Sequence, residues 1–213
     1  MPIYLVCDLS ASMAAGDRTR ALHDSVTALR DAIWANPVVS DTARVAVLGF
    51  ATSAWVVLPL CDIATIDEIP PLAPAGLTSY SAAFRLVAAT IEADVAQLAA
   101  DEFGVWRPMV FFISDGEPTD SRSEWQAEHR RLLDPSLPWR PEIVSFAIGD
   151  ANAATLAQVA TTRCFAARSG EVVENAIAGI ADLVIRSVVA SGTAGAPVLP
   201  RGVPAGFDEV DVL

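Results

Sequence analysis

Four stretches of the chain are largely apolar and rich in β-branched or aromatic residues: 3–7, 44–50, 108–114 and 142–149. They run on without polar alternation, which is the pattern of strands buried on both faces. A fifth stretch, 54–60 (AWVVLPL), follows the second after only residues 51–53. A parallel partner needs a long crossover, so these two predict an antiparallel hairpin. Pro59 suits an edge position there. Residues 164–166 predict a final short strand.

Helical spacing fills the intervals. Leu22, Val26, Leu29 and Ile33 repeat along 19–35, with Asp17 or Thr19 as the cap and Asn36-Pro37 as the stop. Residues 79–99, 121–133, 153–160 and 171–190 predict further helices. Strand and helix alternate, so the expected fold is a three-layer α/β/α Rossmann-like sandwich. Its central sheet is mostly parallel, with one antiparallel edge strand. Residues 191–213 break the pattern: they are rich in Gly and Pro, then acidic. The expected division is a domain over 1–190 and an extended tail over 191–213, mobile unless docked.

Composition narrows the chemistry. The formal net charge is −12, which argues against nucleic acid as the main partner. All 14 basic residues are arginines. Without lysine there is no Walker-type phosphate lysine, kinase strand lysine or Schiff-base lysine. Cys7, Cys61 and Cys164 are odd in number and far apart, the pattern of free thiols rather than a disulfide or zinc framework. No run reads as a membrane span or signal peptide, and a cytoplasmic location is expected.

Parallel strands deliver their following loops to one edge of the sheet, where ligands bind at the switch point of strand order. Three loops rich in hydroxyls and carboxylates follow that rule: DLSAS from residue 8, AGLTSYSAA over 75–83, and SDGEPTD over 114–120. If the first strand neighbours the strand ending at Ser114, Asp8 and Asp115 come within a few ångströms of each other. Two such carboxylates repel; no lysine is available to separate them, and the nearby Arg18 lies some residues into the next segment. A hard divalent cation answers that need, and hydroxyl and carboxylate oxygens suit Mg²⁺, Mn²⁺ or Ca²⁺. In an extended segment residues 8, 10 and 12 point the same way. Taken alone, Asp8, Ser10 and Ser12 also suit a helix cap, and Asp115-Gly116 a tight turn.

The D-x-S-x-S of Asp8, Ser10 and Ser12, a threonine in a Gly-led loop (Thr78) and the Asp115-Gly116 pair resemble the metal-ion-dependent adhesion site of von Willebrand factor type A domains. The stretches PIYLVCDLSASM, WRPMVFFISDGEPTD and AIGDAN resemble the stand-alone bacterial members of the tellurium-resistance TerY-like group, which commonly reads GGTS where this chain reads GLTS. The resemblance implies that Ser10, Ser12 and Thr78 bind the metal directly. Asp8 and Asp115 would bind through waters, with magnesium the leading cation. One coordination position would stay open for a carboxylate from a protein partner. It implies an interaction module rather than an enzyme, in a bacterial stress system that often includes a protein kinase and a PP2C-type phosphatase.

Tyr80 and Glu117 flank the same loops and are candidates for contact with that partner. Tyr80 suits packing equally, and Glu117 and Asp120 also suit the electrostatics of a helix start. His23 and His129 fall on helices without a second histidine at ligand spacing and read as ordinary helix-face residues. An alternative function is a metal-dependent phosphohydrolase, although the haloacid-dehalogenase pattern needs a second aspartate and a lysine that this chain lacks. In the tail, Phe207, Val210, Val212 and Leu213 interleave with Asp208, Glu209 and Asp211. That pattern suits a docking motif, a carboxylate donor to a neighbouring molecule's metal site, or a disordered end.

Overall fold

The computed structural model describes residues 1–212; Leu213, grouped above with the tail, lies outside them. The strands are β1 (Pro2–Asp8), β2 (Arg44–Phe50), β3 (Ala54–Cys61), β4 (Met109–Ser114), β5 (Glu142–Ala147), β6 (Arg163–Ala167) and β7 (Phe207–Val210). The helices are α1 (Arg18–Trp34), α2 (Pro37–Thr42), α3 (Tyr80–Ala100), α4 (Arg122–Leu132), α5 (Ala153–Val159) and α6 (Val173–Ala194). One seven-stranded sheet has the order β3-β2-β1-β4-β5-β6-β7. β1 pairs in parallel with β2 on one side and β4 on the other. The chain therefore winds outward in both directions from β1, and the switch point lies between β1 and β4.

The central strands are buried on both faces because each side chain alternates between two apolar layers. In β1, Ile3, Leu5 and Cys7 join Met109, Phe111 and Ile113 of β4 against α1 and α6. Tyr4 and Val6 join Val110 and Phe112 against α3, α4 and α5. That double burial is why these strands carry no polar alternation. The expected β2–β3 hairpin is present and antiparallel. Cys7 and Cys164 are buried free thiols and Cys61 is half-buried. Burial, with Asp8 adjoining, pushes the Cys7 thiol up to about 12, so it stays protonated and inert.

Pro37 does more than stop α1. It occupies the start of α2, where its missing N–H has no partner to lose. α6 runs to Ala194, beyond the expected end at residue 190, and closes on Gly195 in the left-handed conformation (φ +67°). α6 is also long and apolar enough to cross a membrane, a property not expected from the sequence. Its Ile177, Ile180, Leu183, Val184 and Val188 are instead buried in the core, as in the central helix of a globular domain.

The residues read as a tail return to the sheet. β7 pairs antiparallel with β6, which gives the sheet a second antiparallel edge. Phe207 is fully buried, with its ring centroid 5.8 Å from Phe146 and 6.5 Å from Phe165. Arg163 grips Glu209 through two bonds of 2.6 and 2.8 Å and donates to the carbonyls of Pro200 and Gly202. Arg168 pairs with Asp208 at 3.0 Å. These two acidic residues are therefore engaged within their own chain. Phe207→Ala should lower the unfolding free energy by about 3–5 kcal/mol, the range for emptying a buried aromatic site. Urea denaturation measures it, and a loss below about 1 kcal/mol would show that β7 contributes little to the fold.

Candidate metal centre

β1 ends at Asp8 because the side chain turns the backbone. Its Oδ1 accepts from the Ser10 amide at 2.9 Å, closing an Asx-type turn. A short 3₁₀ turn, Ala11–Ala14, follows, so the chain is not extended through residue 12. Ser12 reaches the same point as Asp8 and Ser10 by that turn, not by strand alternation. Ser10 stands before the turn but its side chain makes no capping bond, so the helix-cap alternative has no support here.

The second loop is stitched to the first. Leu9 accepts from the Ala75 amide at 2.8 Å, and the Ala11 amide donates to Gly76 at 3.0 Å. Gly76 holds φ +81°, and a Cβ there would lie 2.5 Å from the Thr52 hydroxyl oxygen, so only glycine fits. Leu77 stays out of the left-handed region. Its amide donates to Thr52 Oγ1 and its side chain is 61% exposed, so the backbone of GLTS accommodates leucine. The Thr78 carbonyl accepts from the Thr119 amide at 2.7 Å and its hydroxyl at 2.9 Å, which joins the second loop to the third.

Asp8 is 1% exposed. Its Oδ2 accepts from Ser114 Oγ at 2.6 Å. The Ser10 and Ser12 hydroxyl oxygens are 3.0 Å apart, and Ser12 donates to Asp115 Oδ1 at 2.7 Å. Asp115 Oδ2 accepts from Arg18 Nη1 at 2.9 Å. Thr78 is buried, and its hydroxyl lies beside Gly116, 3.5 Å from where a Cβ there would sit. No hydrogen bond from another described residue occupies the Thr78 hydroxyl. Asp8, Ser10, Ser12, Thr78 and Asp115 thus lie in one cup at the carboxyl ends of β1 and β4.

The donor set is oxygen throughout; among the described residues no three of His, Cys, Asp and Glu gather, here or elsewhere, so hydroxyls make up most of this set. Burial raises the Asp8 carboxyl above its usual range; the bonds from Ser114 and Ser10 oppose this, and the nearby Asp115 charge adds to it. A carboxylate disfavoured by burial and a like charge, in a cup of hydroxyl oxygens, fits a hard cation.

Other expectations change. Tyr80 is fully buried among Phe50, Phe84, Phe112 and Trp125, and its hydroxyl donates to the Gly116 carbonyl at 3.2 Å. It braces the third loop from below and does not line a docking surface. Glu117 is exposed at the rim, accepting from Thr155 Oγ1 at 3.1 Å. Asp120 serves α3, not the helix that follows it. It accepts from the amides of Tyr80 and Ser81, the first turn of α3, while Ser79 caps the same helix. His129 is buried and bonded to the Val159 carbonyl, and His23 to that of Ile69. Sequence reasoning assigned no role to Arg18 or Ser114. The need for a counter-charge is the signal that could have found Arg18, the first basic residue after the motif, which its place in the next segment had set aside.

Fold and site together define a class: an open α/β sandwich with an oxygen-donor cup at its switch point. The chain belongs to the von Willebrand factor type A domain family, whose model matches residues 3–117 and so spans all five cup residues. Domains of this family are generally interaction modules, and they bind a divalent metal at the adhesion-site motif. Solved structures agree in fold. A von Willebrand factor type A protein from Catenulispora acidiphila is 14% identical with TM-score 0.59, covering 87% of this chain and 42% of its own. Proximal thread matrix protein 1 from mussel byssus, solved with zinc in its MIDAS motif, is 17% identical with TM-score 0.62, covering 88% and 47%. The pilus adhesin SpaC from Lactobacillus rhamnosus GG is 14% identical with TM-score 0.67, covering 89% and 30%. This chain therefore spans less than half the length of each of the three. No curated protein sequence matches it.

The raised Asp8 value has a sign. A carboxyl whose folded-state pKa lies above its unfolded value stabilises the fold below the unfolded value of 3.8, and that contribution is lost as pH rises through the folded value. At neutral pH in EDTA the buried charge is therefore a liability. Asp8→Asn should melt a few degrees higher than wild type at pH 7 in EDTA, and the gap should close toward pH 4. Differential scanning calorimetry across that range checks it; a variant that melts lower at pH 7 contradicts the account of Asp8.

Proposed function

We propose that this chain is a divalent-cation-dependent protein-binding module. The observation that carries the reading is the junction of three loops that leaves the Thr78, Ser10 and Ser12 oxygens beside two buried carboxylates. Ser10, Ser12 and Thr78 would hold the cation directly, and Asp8 and Asp115 through intervening waters. Bound there, the cation would act as a Lewis acid toward a carboxylate of the partner. Magnesium is the leading candidate, with manganese and calcium also suited; the zinc in the mussel protein's motif shows that a relative's site takes a softer ion. The chain carries a net charge of −12, so a bound cation would supply the local positive charge that an acidic partner meets. Exposed Leu77, next to Thr78, supplies apolar contact at the rim.

The reading includes no bond cleavage. A nucleophilic aspartate must present an oxygen to substrate, whereas Asp8 is almost fully buried with both oxygens already bonded. The three TerY-like stretches support a place in a bacterial tellurium-resistance or related stress system, in the cytoplasm, with a protein kinase and a PP2C-type phosphatase as partners. That placement rests on sequence resemblance alone. The reading assigns binding to a domain over 1–190, with β7 and its approach segment as a docked extension.

Metal binding alone tests the core of this reading. A ligand at a hundredfold excess over its Kd stabilises the fold by about 2.7 kcal/mol. Saturating Mn²⁺ or Mg²⁺ should therefore raise the melting temperature by roughly 5–10 °C. Ser10→Ala should abolish the shift while leaving the melting temperature in EDTA within a few degrees of wild type. A shift that survives Ser10→Ala, or no shift in wild type, contradicts the reading. Hydrolysis of a generic phosphate ester by wild type, lost in Asp8→Asn, would favour the phosphohydrolase instead.

A further inference from the structure

Arg18 lies outside the motif, at the first position of α1, yet its guanidinium reaches the cup. Nη1 donates to Asp115 Oδ2 at 2.9 Å and approaches the Ser12 carbonyl at 3.4 Å. The Asp115 side chain is fully buried and that of Arg18 only 22% exposed, so solvent screens the pair weakly. Both Asp115 oxygens are thereby taken, one by Arg18 and one by Ser12. The arrangement is braced from two sides. The start of α1 is tied to α6 by the Asp17 amide donating to Glu174. Gly149 adjoins the pair, with a Cβ position 3.7 Å from Nη1 and 3.6 Å from the Asp115 Cβ.

From this we infer that Arg18 is a tethered cation that competes with the divalent ion for Asp115 and so sets the affinity of the site. The inference rests on the proposed function above. A guanidinium is charged at every accessible pH, so the competition is constant rather than switched. It has two opposed effects. It offsets the repulsion between Asp115 and Asp8 when no metal is bound, and it repels a divalent ion that draws on the same carboxylate. Even screened as in water, a unit charge a few ångströms from a divalent ion weakens binding about tenfold. A purely structural Arg18 would affect stability but not this affinity.

Isothermal titration with Mn²⁺ at low ionic strength tests it, using wild type, Arg18→Gln and Arg18→Lys. Arg18→Gln removes the charge and should bind Mn²⁺ about tenfold more tightly. Arg18→Lys restores the charge and should bind like wild type. In EDTA, Arg18→Gln should melt below wild type, and saturating Mn²⁺ should close the gap. Equal or weaker binding by Arg18→Gln, when wild type binds, overturns the role of Arg18. The absence of binding by wild type and both variants overturns the metal reading itself, and the inference with it. Circular dichroism of Arg18→Gln separates loss of fold from loss of charge.

Discussion

Two carboxylates at the ends of neighbouring parallel strands are the constraint around which this domain is arranged. β1 and β4 pair over Ile3–Cys7 and Met109–Ile113, so Asp8 comes level with Ser114, and Asp115, one residue further on, is near enough for its charge to act on Asp8. Both are buried. The sheet order places them at the switch point, where no helix covers the strand ends. Burying like charges together costs free energy unless each finds donors or a counter-charge. The surrounding loops answer that demand residue by residue.

Ser114 and the Ser10 amide serve Asp8, while Ser12 and Arg18 serve Asp115. The loop around Thr78 is held in place by Gly76, Thr52 and Thr119, so its hydroxyl stands beside the carboxylates without being used by them. Beneath them, Tyr80 and its ring of Phe50, Phe84, Phe112 and Trp125 form a rigid floor. The hydrogen bond from Tyr80 to the Gly116 carbonyl transmits that rigidity to the third loop. Such support from packed aromatics lets a site built on loops keep its geometry.

Much of this was legible in the chain. The runs that became β1, β2, β4 and β5 show no polar alternation because helices cover both faces, and the turn at 51–53 is too short for anything but a hairpin. The juxtaposition of Asp8 with Asp115 followed from strand neighbourhood alone. What escaped depended on contacts far apart in sequence. β7 reads as an acidic tail because its pairing rests on Arg163 and Arg168, some 40 residues away, and on edge-on packing of Phe207 against the stacked rings of Phe146 and Phe165. Tyr80 sits in a polar loop sequence, and only the tertiary fold turns it inward. Asp120 precedes α4 but is drawn to the amides of α3. Ser12 comes beside Asp8 and Ser10 by a 3₁₀ turn, not by the alternation of an extended strand.

The central claim is that these oxygens form one cation site. Anomalous diffraction from crystals grown with Mn²⁺ tests it most directly. The account predicts a single strong peak at the carboxyl ends of β1 and β4, at direct bonding distance, about 2.0–2.3 Å, from the Ser10, Ser12 and Thr78 hydroxyls. Asp8 and Asp115 should then stand one water further out. A peak bound elsewhere, or none at this edge of the sheet, would contradict it.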